Sequence, residues 1–141
     1  MKSARRERGS AMIEFAGALI VLSAMFTGIF QIGYTFFTYS TLQNAVRTGA
    51  RYASLQAASA SGTDPQFAKS VANMVVYGEP QPVANAQPVV RGLAADNVEL
   101  IMGPSTATVS VRDFEVDALF MKIKLAGRPT VTFPFPGGGS K

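Results

Sequence analysis

Two periods and one long uncharged run divide this chain. Residues 15–33, FAGALIVLSAMFTGIFQIG, are almost wholly apolar, and about 20 such residues in a helix cross roughly 30 Å of hydrocarbon. Tyr34, Phe36, Phe37 and Tyr39 follow directly, where an aromatic belt would meet the far interface. The next segment, TLQNAVRTGARYASLQAA, keeps small or apolar residues at Leu42, Ala45, Val46, Gly49, Ala53 and Leu55, a helical stripe. One helix over residues 10–58 is therefore expected, with its membrane part at about 13–36. At 1.5 Å per residue it is about 70 Å long, so its second half must pack on something outside the bilayer.

Beyond it, SASGTD breaks the pattern. Asp64 followed by Pro65 sets an N-cap with proline at the first helical position. Phe67, Val71, Met74 and Val75 give a short amphipathic helix that Gly78 ends. Residues 79–97 hold Pro80, Pro82 and Pro88 among small polar residues and read as a long irregular loop. The period then changes to two: NVELIM, TATVSVRDF and RPTVTFPF alternate apolar and polar positions, bounded by Gly-Pro and Gly-Arg-Pro turns. Three antiparallel strands are expected there. VDALFMKIKLAG, between the last two, fits either a helical turn or more strand. The fold class is α+β, with residues 59–135 forming a small extracytoplasmic domain and 136–141 a flexible tail.

Charge sharpens this layout. No charged side chain occurs in residues 15–46. The formal net charge of +4 resides mainly at the tip, where Lys2, Arg5, Arg6 and Arg8 face Glu7 alone. The remaining nine Lys/Arg nearly balance eight Asp/Glu, so no basic face for nucleic acid emerges. A basic tip before a single span puts the N-terminus in the cytoplasm and the C-terminal domain outside.

The chain has no Cys and no His. Thiol nucleophiles, disulfides, Cys/His metal sites and His-based triads are thereby excluded. No nucleophile-and-base set, cofactor motif or small-molecule substrate site is visible, and an enzyme is not expected. Asp113, Glu115 and Asp117 alternate along a strand end, but a turn glycine for a Ca²⁺ loop is missing; a solvated edge that discourages aggregation is the simpler reading.

The candidate chemistry lies in RRERGSAMIEFAGALI. Glu14 is an acid just inside the span, and an unpaired carboxylate at a bilayer centre costs on the order of 3 kcal/mol. The positive end of the helix dipole offsets part of that near the terminus. As a plain anchor, the chain carries Glu14 incidentally. Cut after Gly9, it would start at Ser10, and the new amine would lie one turn from Glu14. That amine could pair with the Glu14 carboxylate of a neighbouring subunit, each charge neutralising the other.

RERG followed by SAMIEF resembles the class III signal of prepilins: a short basic leader, glycine before the cut, glutamate at the fifth position after it, then an apolar helix. LQNAVRTGARYAS after the span resembles the TadE-like family, pseudopilins of tight-adherence (Tad/Flp) pilus systems. This resemblance covers roughly residues 5–55. It implies a minor pseudopilin without catalysis, anchored in the bacterial inner membrane. A prepilin peptidase would process it between Gly9 and Ser10, and its other partners would be pseudopilins and the major Flp-type pilin. It also tilts Arg47 and Arg51, one turn apart, toward subunit contact. Gly17, Ala24, Gly28 and Gly33 are candidate helix-packing positions; Ala24 and Gly28 make a small-xxx-small pair.

Other signals fit less well. Arg5-Arg6 is followed by Glu7 and Arg8 where a twin-arginine signal wants apolar residues, and no small-x-small site follows a short apolar core. The alternative function is an uncleaved single-pass anchor presenting a small binding or sensing domain.

Overall fold

A computed structural model gives the architecture and describes residues 3–57, 64–118, 121–124 and 129–134, with backbone alone for 3–8, 117–118 and 121–124. Helix α1 (Ser3–Gln56) and helix α2 (Pro65–Tyr77) precede five strands. These are β1 (Val98–Met102), β2 (Thr106–Val111), β3 (Glu115–Ala118), β4 (Met121–Lys124) and β5 (Thr130–Pro134). Lys2, the break at 58–63 and the tail 136–141 lie outside the described residues.

α1 starts earlier than the apolar pattern implied, because residues 3–8 are good helix formers and Gly9 does not interrupt them. Fifty-four residues in one helix measure about 80 Å. Its second half supplies one wall of the core through Leu42, Ala45, Val46, Ala50 and Ala53, all buried. The stripe read from sequence was nearly right. Ala50 belongs to it and Leu55, 63% exposed, does not.

α2 forms where its punctuation places it. The Asp64 side chain accepts from the Gln66 amide at 2.9 Å, and Pro65 takes the first position, where its missing N–H costs nothing. Gly78 closes the helix in the left-handed region, φ 77°, and its N–H donates to the Met74 carbonyl. Phe67, Val71, Val75 and Val76 face inward. Asp64→Ala is expected to cost about 1 kcal/mol. Hydrogen exchange should register it as faster exchange of the first-turn amides of α2, with α1 unchanged.

α1 and α2 touch at a glycine. A Cβ built on Gly49 would stand 2.2 Å from Val75 Cγ2 and 3.6 Å from the Val71 carbonyl oxygen. The helices thus approach to a separation that no other residue at position 49 allows without displacement.

The three alternating segments form one antiparallel sheet in the order β1-β2-β5. The register sets Leu100 opposite Val109 and Val109 opposite Val131, so one face collects the apolar positions. Ala107, Val109 and Val111 of central β2 are fully or almost fully buried, and β2 and β5 pack on α1. The other face is mostly polar, Ile101 excepted. Thr108 and Thr132 hydroxyls meet at 2.8 Å, and Glu99 binds both Arg112 and the Ser110 hydroxyl. The turn before β2 closes with the Gly103 N–H on the Thr106 carbonyl.

Of the ambiguous segment, residues 116–118 and 121–124 are strand, and the rest lies outside the described residues. β3 and β4 pair antiparallel as a separate two-stranded unit, and β3 packs on α1 with Val116 buried. The Pro-rich loop is irregular as expected, except for a single 3-10 turn (Ala95–Asn97). It also donates two core residues, Val90 and Leu93. Its path is tied to α2 by the Val89 N–H on the Val76 carbonyl at 2.7 Å.

Candidate functional site

From Gly9 to Phe30 every side chain of α1 is exposed. Those side chains include Phe15 (69%), Ile20 (72%) and Phe26 (73%), far more contiguous apolar surface than a water-soluble monomer shows. Burial starts with the half-buried Gln31, Tyr34 and Thr35 and is complete at Thr38 and Leu42. Between Glu14 and Tyr34 the bare helix rises about 30 Å, the thickness of a hydrocarbon core. Among the described residues this is the one helix long and apolar enough to span a membrane.

Two threonine hydroxyls in and beside that stretch satisfy themselves. Thr27 donates its hydroxyl to the Ser23 carbonyl and Thr35 to that of Gln31, both at 2.9 Å, a back-bond that leaves no donor facing lipid. Glu14 differs: among the described residues no cation or hydrogen-bond donor meets it. A carboxylate on a membrane-length apolar helix with no partner among the described residues calls for one from another molecule.

The small residues have the same character. A Cβ at Gly9, Gly17, Gly28 or Gly33 would meet nothing within 4 Å, and Ala24 is exposed. None of the four packing candidates therefore serves this fold. At about 100° per residue, Ser10, Glu14, Gly17, Ala24 and Gly28 share an arc of about 80°; Gly33 lies across the helix from them. The first five make a single stripe in which an acid and a set of close-approach positions coincide.

Arg47 and Arg51 stand on the solvent flank of α1, both exposed and without an ion-pair partner among the described residues. Gln43, one turn below Arg47, bonds its side-chain amide to the Tyr39 hydroxyl at 3.0 Å. The backbone of the basic tip, with Arg5, Arg6 and Arg8, belongs to α1. The acidic trio falls elsewhere. Asp113 occupies a turn with φ 50°, while Glu115 and Asp117 stand in register with Lys124 and Lys122, the opposite-sign cross-strand pairing that favours a hairpin.

Two features escaped the sequence reading. Gly49 entered it as one small residue in a stripe, whereas it is the point of closest approach between the helices. Arg91, in the Pro-rich loop, lines a cleft against Tyr34, Phe37, Thr38 and Thr41 of α1. The signal for the second was the apolar pair Val89-Val90 in an otherwise polar loop, which announces a segment folded back onto the core.

These observations define a membrane-anchored protein: one long helix, bare from Gly9 to Phe30, with a small α+β domain built on its second half. A family model described as TadE-like protein matches residues 9–51. The match takes in the bare stretch, Glu14 and the helix as far as Arg51, and connects the chain to components of Tad pilus systems. No curated protein and no solved structure matches.

Proposed function

We propose that this protein is a minor pseudopilin, a structural and assembly component of a Tad/Flp-type pilus. It inserts into the bacterial inner membrane with Lys2, Arg5, Arg6 and Arg8 retained in the cytoplasm, as cationic flanks require. Residues 59–135, together with the second half of α1, form the extracytoplasmic domain. A prepilin peptidase removes residues 1–9 by hydrolysing the bond between Gly9 and Ser10. The released Ser10 amine then meets Glu14 of a neighbouring subunit, and the small residues beside it allow the helices to approach. Arg47 and Arg51 offer a second contact just outside the membrane to other pseudopilins or the major pilin.

The observation that carries this reading is Glu14, a carboxylate exposed on a lipid-length apolar helix with no partner among the described residues. Cleavage converts it from a cost into half of an ion pair, because a charge in low dielectric is stabilised only by an opposite charge in good geometry.

Intact mass spectrometry of the protein extracted from a host that expresses a prepilin peptidase tests the first step. The expected chain begins at Ser10, and Gly9→Leu is expected to shift it to full length. A wild-type chain that still begins at Met1 in such a host overturns the proposal and leaves the uncleaved anchor with a binding or sensing domain.

A further inference from the structure

Where α1 leaves the bilayer, two hollows adjoin on the same side of the helix. The upper one, about 270 Å³, lies between α1 and the Pro-rich loop; Tyr34, Thr38, Thr41, Val89 and Arg91 contribute to its lining. The lower, about 360 Å³, is a notch formed by Phe30, Gly33, Tyr34 and Phe37. Tyr34 and Phe37 belong to both, so the two are neighbours on one stretch of α1. The upper hollow combines a guanidinium with three hydroxyl-bearing side chains, whereas the lower is apolar. Gly33 has no side chain to fill the notch, and the space beside it is open, since a Cβ there would meet nothing within 4 Å.

Arg91 is not on a loose loop. Val90 beside it is buried, the Leu93 N–H donates to the Val90 carbonyl, and the Val89 N–H donates to that of Val76. Arg91 itself is exposed and has no carboxylate partner among the described residues. A held cation without a counter-ion therefore sits above an apolar notch at the depth where headgroups give way to acyl chains.

We infer that these hollows together bind one anionic phospholipid of the outer leaflet. The phosphate meets Arg91 and the hydroxyls of Tyr34 and Thr38, the Thr41 hydroxyl being spent on the Phe37 carbonyl, and an acyl chain lies in the Phe30–Gly33–Phe37 notch. Arg is suited to phosphate because its donors form a planar fork. The order of polar above apolar along the membrane normal matches a lipid and not a soluble anion. The inference rests on α1 spanning the membrane and on no step of pilus assembly.

The test is native mass spectrometry of the full chain, released from detergent after equilibration with equal amounts of phosphatidylglycerol and phosphatidylcholine bearing the same acyl chains. One phosphatidylglycerol is expected to be retained, favoured roughly five- to tenfold. Arg91→Ala should bring that preference close to one, and Arg91→Lys should restore part of it. Gly33→Leu should reduce retention of both lipids, while Lys69→Ala, which removes a cation from a different cleft, should change neither. Equal retention of the two lipids by the wild type overturns the inference. So does tight binding of glycerol phosphate alone that Gly33→Leu leaves intact, which would mark a soluble-anion site. A dimer that excludes lipid, with copies cross-linked through position 37, would assign the hollows to a second copy and overturn it as well.

Discussion

Glu14→Ala is expected to leave the protein inserted in the membrane with its α+β domain folded, and to abolish piliation. Insertion should if anything improve, since removing a carboxylate from a spanning helix relieves up to about 3 kcal/mol. The fold should not respond, because Glu14 touches nothing in its own molecule among the described residues and the domain begins to pack about five turns further on. Assembly should respond strongly. Removing one partner of a buried ion pair strands the other charge and costs about 3–5 kcal/mol, a factor of more than one hundred in subunit association. The measurement is surface piliation in a strain carrying only the variant, with its amount in the membrane fraction as control. Glu14→Gln should fail as well, since it keeps the shape and loses the charge. Normal piliation by both variants would remove the ion pair from the proposal and favour the plain anchor.

The second large effect is on the fold. Gly49→Leu should unfold the α+β domain, because Val75 Cγ2 already occupies the space a Cβ needs. Val75 has little room to turn aside, since a β-branched residue in a helix holds one χ1 rotamer. Overpacking by a single methyl costs about 1–3 kcal/mol, so Gly49→Ala should be folded but weakened. The larger side chain must part α1 from α2. Hydrogen exchange on the detergent-solubilised full chain should show α2 amides losing protection in Gly49→Leu while residues 9–33 keep theirs. Gly28→Leu is the matched control: a Cβ there meets nothing, so the fold should be indifferent and only assembly should suffer. Unchanged protection of α2 in Gly49→Leu would mean that the helices do not cross at this residue.

These two glycines show where sequence reading succeeds and where it stops. Both are glycines in one helix, and the stripe that put Gly49 on a packing face did not say what packs there. Gly28 faces outward and Gly49 faces Val75 because a segment some 25 residues later folds back on α1. That long-range pairing also decides that Ala50 is buried and Leu55 exposed, although Leu55 is the more apolar of the two. Arg91 belongs with these. Only the path of the Pro-rich loop, drawn in by Val90 and Leu93, brings it to Tyr34 and Thr38.

The candidate assembly stretch stands out in the sequence, since Glu14 is conspicuous against 32 uncharged residues that follow it. Its small neighbours were legible as residue types, but their openness is a property of the folded molecule. For the segment 116–127, alternation and helical spacing were both available, and pairing across β3 and β4 resolved them. Strand hydrogen bonds need a facing chain, and a single segment does not contain that information.

The sequence by itself determined every feature that rests on neighbouring residues: the membrane-length helix, the Asp64–Pro65 start and Gly78 stop of α2, and three strands of period two. Each follows from backbone conformation or side-chain periodicity within a few turns. Tertiary structure alone decided the order β1-β2-β5, the detached β3–β4 hairpin, the face of α1 that is buried and the level at which the domain begins. Those depend on which apolar surfaces meet. Hydrophobic burial is non-directional, so periodicity says that a face must be covered and leaves the partner to the fold.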